Sequence, residues 1–260
     1  VPGLMFDRLS ETMTKRSAAL LLTIDNRLDV ILKYWLLIAG LSSTARIAVA
    51  PHSFPIAGLS TFGSYMLLVV APFGSTLVAL RWFSEGHLQP QPLMRLARVG
   101  RWVNISRAAA ERHPLYGTSG IMVSLIVGMM LNVPVRAAEY LAAMPPMPMD
   151  APRWLSVLHF AMTLDVVVFT SLYMIAFVAA LRRVPLFPRL LLAIWIGDLA
   201  MQVATAQMVS STNLPTAVAT ALHSLLIGNV KKVLISVALW LPYLLLSTRV
   251  NVTYRHRVPA

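Results

Sequence analysis

The sequence predicts an all-α, polytopic transmembrane helical bundle with about six spans and both termini cytoplasmic. Three observations predict it. Six runs approach twenty mostly apolar residues. Only 12% of residues are charged against 57% hydrophobic, with a mean hydropathy of +0.70, whereas a soluble domain carries about 25% charged residues. Lysine and arginine also gather in alternate connections between the runs.

The runs cover about 30–50, 62–81, 116–134, 154–181, 189–208 and 230–247. A hydrocarbon core of about 30 Å needs roughly 20 such residues in a helix. Each run must be helical because a lone segment in lipid has to satisfy its own backbone hydrogen bonds. Pro72 and Pro242 fall inside spans and are expected to bend them. Of the 22 lysines and arginines, Arg136, Arg153, Lys231 and Lys232 fall on one side of this arrangement and Arg46 inside the first span. All the others fall on the opposite side, which the positive-inside rule makes cytoplasmic.

The net charge of +12 does not imply a nucleic-acid partner. No soluble segment is long enough to carry such a domain, and an apolar chain puts this charge at the lipid surface. Cysteine is absent, which excludes disulfides, thiolate metal sites and cysteine nucleophiles. The opening Val-Pro-Gly-Leu-Met has no basic stretch before an apolar one, so it does not read as a secretory signal.

Three further segments are neither span nor simple turn. Residues 4–21 place Met5, Leu9, Met13 and Leu20 near one helical stripe, with Arg8, Lys15 and Arg16 outside it. Residues 92–110 interleave Leu93, Leu96, Val99 and Val103 with Arg95, Arg98 and Arg101. Both read as helices lying on the cytoplasmic face, where their basic residues meet anionic lipid headgroups or an acidic partner. Residues 214–227 are apolar but too short to span, and are expected as an interfacial helix or re-entrant lid. Four prolines within 142–152 predict a stiff, extended connection.

By composition the chain divides into 1–114, with an amphipathic helix, two spans and the basic cytoplasmic segment, and 115–260, with four spans. In the second part, Phe187, Pro188 and Arg189 open one span. Trp240, Pro242, Tyr243, Ser247, Arg249 and Val250 close the last. These elements resemble the YdgK-like family, a bacterial inner-membrane family of unknown function, over about 115–256. The resemblance implies a four-span architecture and an inner-membrane location. It implies no activity, catalytic residue or cofactor, and residues 1–114 are an extension outside it.

Asp165 and Asp198 are the chemical outliers. Each lies within a turn of the centre of its span, where an aspartate costs about 3 kcal/mol to insert. The short turn between spans four and five makes these helices antiparallel neighbours, which can bring the two carboxylates together. Apposed carboxylates tend to share a proton, because charge on one disfavours ionisation of the other. A proton or cation pathway through Asp165, Asp198 and Gln202 is one reading. Hydrogen bonding to Gln202, Thr163 or Ser171 is a second, and pairing with a charge on another subunit is a third.

Arg46 is expected to snorkel to the outer interface or to pair with Glu139. His159 and His223 sit towards the outer side, and no second set of ligands converges with them, so no metal or haem site is expected. Gly120, Ser124 and Gly128 recur every fourth residue, a spacing that lets another helix approach closely, within the chain or from a partner. No phosphate-binding loop, Gly-x-Ser-x-Gly or His-Glu-x-x-His motif is present.

Three functions fit these residues: a non-catalytic accessory or structural subunit packed against a larger membrane complex; a small proton- or cation-coupled transporter using Asp165 and Asp198; and a membrane enzyme acting on lipid, for which no residue set can be named. The expected partners are the lipid bilayer, anionic headgroups and other membrane subunits, with no cofactor.

Overall fold

The computed structural model describes residues 2–49, 58–93, 96 and 100–260, with side chains from residue 12 onward within those segments except at 59 and 60. It is 77% helical, with nine α-helices among the described residues. These are α1 (Pro2–Asn26), α2 (Leu28–Ala48), α3 (Gly58–Trp82), α4 (Arg107–Glu111), α5 (Met122–Ala143), α6 (Arg153–Leu181), α7 (Phe187–Ser210), α8 (Thr216–Leu246) and α9 (Thr248–Arg255). Six of them, α2, α3 and α5–α8, are long and apolar enough to cross a membrane. The chain is a multi-pass membrane protein with an all-α bundle.

Helix α6 is the axis of the bundle. It is apolar all round, as a helix buried on several sides must be, and packs against α3, α5 and α7. The main core runs through Met122, Ile126 and Met129 of α5, Phe169, Phe177 and Val178 of α6, and Leu191, Ile194 and Trp195 of α7. The segments 1–114 and 115–260 pack on each other. Ser17 of α1 accepts a hydrogen bond from the Gly120 amide (2.7 Å), and Asp25 pairs with Arg182 of the α6–α7 turn (3.1 Å). Thr61 of α3 accepts from the Met147 amide (2.8 Å) in the proline-rich connection, whose first two residues, 142 and 143, still belong to α5 and which turns at Met149–Asp150 rather than running extended throughout.

Two span boundaries differ from the sequence reading. Span three is Met122–Ala143, not 116–134. Pro134 lies inside α5, and the helix continues through Arg136, Glu139 and Tyr140. Residues 214–227 form no separate short helix. Most of them join the last span in the single 31-residue helix α8, so Lys231 and Lys232 sit in mid-helix. In both cases a charged residue that hydropathy alone places outside the span has an acidic partner on a neighbouring helix.

The segment 92–110 is not one helix among the described residues. It contains the strand β1 (Trp102–Asn104) and the short α4, whose Ser106 cap accepts from the Ala109 amide. β1 pairs antiparallel with β2 (Arg257–Pro259) at the end of the chain, Val103 opposite Val258. Arg101 is exposed, while Arg95 and Arg98 lie outside the described residues. Helix α1 does form over 4–21. Met13, Leu20, Lys15 and Arg16 are exposed on it, and its buried side is Leu21 and Ile24. The side chains of Met5 and Leu9 lie outside the described set.

The close-packing stripe is also revised. Gly120 precedes α5, at φ +73, a backbone conformation that side chains with a Cβ rarely adopt. Ser124 and Gly128 lie on the exposed side of α5, and among the described residues nothing lies within 4 Å of where a Cβ on Gly128 would sit.

Candidate functional site

Asp165 and Asp198 do come together, but neither Thr163 nor Ser171 joins them. Arg136 does. Its guanidinium donates from Nη1 to Asp165 Oδ2 (3.0 Å) and from Nη2 to Asp198 Oδ2. Gln202 spans the two acids on their other oxygens, donating from Nε2 to Asp165 Oδ1 (3.1 Å) and Asp198 Oδ1 (3.3 Å). Asn229 of α8 donates to Gln202 Oε1 (3.3 Å), and Asn132 accepts from Arg136 Nε (3.2 Å). The two carboxylates are thus bridged rather than directly apposed.

Helical spacing builds this arrangement. Asn132, Arg136 and Tyr140 are one turn apart on α5, and Asp198 and Gln202 are one turn apart on α7. On α6, Asp165, Phe169 and Tyr173 share a face. Phe169 and Tyr173 lie under the guanidinium, 5.2 and 5.8 Å from its carbon to the ring centroids. A guanidinium stacked on aromatic faces gains cation–π attraction while its N–H groups still point at the acids. Asp198 is wholly buried, and Arg136 and Asp165 keep only a small exposed area.

That exposed area lines a cavity of about 710 Å³ between α5, α6, α7 and α8. Its rim carries a second ion pair, Lys232 of α8 with Glu139 of α5, both half exposed. Glu139 is therefore not the partner of Arg46, which instead donates from Nε to the Leu141 carbonyl (2.9 Å). Asp165, Asp198 and Gln202 were all legible in the sequence. Arg136, Asn132 and Asn229 were not, although the apolar Ala-Ala-x-Tyr-Leu-Ala-Ala run after Arg136 signals that the helix continues.

His159 is buried elsewhere, with Ser64 Oγ at 3.5 Å and Tyr140 Oη at 3.4 Å. Tyr140 Oη also lies 2.7 Å from Thr163 Oγ1. His159 and Thr163 line a second cavity of about 440 Å³. His223 is exposed on α8. Among the described residues, no group of three histidines or acids has metal-binding geometry. No family model, curated protein or solved structure matches the chain.

Chemically, the cluster is one positive charge short. Arg136 offers one positive charge to two carboxylates, and the Lys232–Glu139 pair at the rim adds no net charge. Inside a membrane an unbalanced charge is expensive. Either a proton on one aspartate or a bound cation makes the site neutral.

Proposed function

We propose that the chain is a small proton- or cation-coupled membrane transporter, with Asp165 and Asp198 as the ion-accepting groups and Arg136 as their fixed counter-charge. The observation that carries this reading is one guanidinium shared between two carboxylates at the middle of their helices, on the wall of a cavity. A purely structural ion pair needs one acid; the second acid is the one free to exchange a proton or cation. Ionisable groups within membrane-spanning helices that face a cavity mark ion and substrate pathways.

Infrared titration of the purified protein tests this. A carboxyl C=O band is expected to appear and vanish with pH in the wild type and to be lost or reduced in Asp198→Asn. A wild type with no titrating buried carboxyl group overturns the reading.

The arginine and lysine asymmetry and the YdgK-like elements at Phe187–Arg189 and Trp240–Val250 support a bacterial inner-membrane location with cytoplasmic termini. A second reading, the non-catalytic accessory subunit, is favoured by the exposed Ser124 and Gly128 on α5, which leave a surface open to close approach by another helix. Native mass spectrometry after gentle extraction separates the two readings. Stoichiometric association with a larger assembly supports the accessory role.

A further inference from the structure

What enters the cavity besides a proton is constrained by its shape, charge and lining, given the reading of Asp165 and Asp198 above. At about 710 Å³ it has the size of a small-molecule site, typically ~300–1,000 Å³. It follows α5 from Asn132 to Ala143, about 17 Å at 1.5 Å per residue. Arg136, where Asp165 and Asp198 meet it, lies about 6 Å from the Asn132 end of that stretch, and the longer part runs on towards Ala143. Much of the remaining wall is apolar, including Val135 and Met162 on one side and Leu225 and Val233 on the other.

The charges are unequal. Arg136 and Lys232 are positive; Glu139, Asp165 and Asp198 are negative. The cavity therefore favours a single positive charge and disfavours an anion. Beside the cavity its opposite walls, α5 and α8, are bridged by Lys232 and Glu139. That pair is half exposed, so the rim is a side-chain contact and not a packed helix interface. A ligand can pass it by moving two flexible side chains.

We infer that the cavity binds a monovalent amphiphilic cation, its charged head against Asp165 and Asp198 and its apolar body between α5 and α8. The cation takes the place of the proton that balances the cluster, which leaves as the aspartate ionises. Asp165 and Asp198 face each other, and the groups facing the pair are Arg136 of α5, Tyr173 of α6 and Gln202 of α7, with Asn229 of α8 bonded to Gln202 and with Lys232 and Glu139 at the rim.

The test uses two probes of equal shape and opposite charge, tetraphenylphosphonium and tetraphenylborate. Their binding to the full-length protein in detergent is read by equilibrium dialysis, with protein-free micelles as the blank. Tetraphenylphosphonium is expected to saturate at one per chain and to release a proton. Its affinity should fall about tenfold per pH unit once the aspartate is protonated, as one-proton linkage requires. Tetraphenylborate should bind at least about tenfold more weakly, and Asp165→Asn should reduce phosphonium affinity by a similar factor. The inference is overturned by equal or tighter borate binding, by phosphonium binding that ignores pH, or by binding of neither probe. The probe comparison needs only the wild type, so it stands even where the variant fails to fold. A carboxyl band that titrates in the infrared while phosphonium does not bind sinks this inference alone. Absence of the band sinks the ion site itself.

Discussion

Arg255 is buried and Arg136 is nearly so, and the two are held in opposite ways. Arg136, in the middle of the helices, is bonded to two carboxylates and stacked on two rings beside a cavity. Arg255, at the end of α9, donates to neutral oxygens: the Leu244 carbonyl (2.8 Å) and Asn251 Oδ1 (3.0 Å). Burial, with Arg257 and Arg189 nearby, pulls the Arg255 pKa down to about 10, still well above neutral pH. Around it Tyr254 is buried, donating to the Ala180 carbonyl (2.8 Å) and packing 5.0 Å from Phe187 between ring centroids. The Arg255 region ties α9 to the end of α8 and the turn after α6. The Arg136 region carries an excess acid that no fold requirement explains. What separates the two regions is the second carboxylate at Arg136, where the oxygens facing Arg255 are neutral.

The largest effect that would sharpen this contrast comes from Arg136→Met. It leaves two buried carboxylates facing each other, and removing one partner of a buried pair costs on the order of 3–5 kcal/mol. The variant should unfold at markedly lower temperature in detergent, and Asp165→Asn with Asp198→Asn in the same chain should restore much of that loss. Arg255→Leu should cost on the order of 3 kcal/mol, the low end for two hydrogen bonds made by a charged donor, while leaving the titrating carboxyl band in place. If that band moves as well, the two regions are not separable. Asp198→Asn should cost less stability, about 1–3 kcal/mol, because Arg136 keeps Asp165 and the amide retains an oxygen acceptor. It should nevertheless remove the proton-dependent signal. The smallest effect is Tyr254→Phe, about 1 kcal/mol for one hydrogen bond, visible in thermal unfolding and absent from any ion-binding readout.

Most of the bundle was legible in the sequence because length and hydropathy are set by the bilayer itself. Asp165 and Asp198 stood out for the same reason, as carboxylates in the middle of apolar runs. Arg136 and Lys232 were misplaced because hydropathy treats each charge alone. Arg136 follows Pro134, and Lys232 follows Lys231, so each looked like the end of a span. In the folded chain each finds an acid on a neighbouring helix, and such pairing is what no window along one segment can register. The β1–β2 ribbon was illegible for a related reason: its two three-residue strands lie far apart in sequence, and neither has a pattern long enough to predict a strand.

Helix α8 has a further consequence. Its 31 residues extend about 46 Å at 1.5 Å per residue, against about 30 Å of hydrocarbon. Such a helix must tilt or protrude, and the thickness of the surrounding lipid sets how far. Since α8 forms one whole wall of the cavity and little of it is buried within the chain, membrane composition becomes a mechanical setting for the width of that cavity.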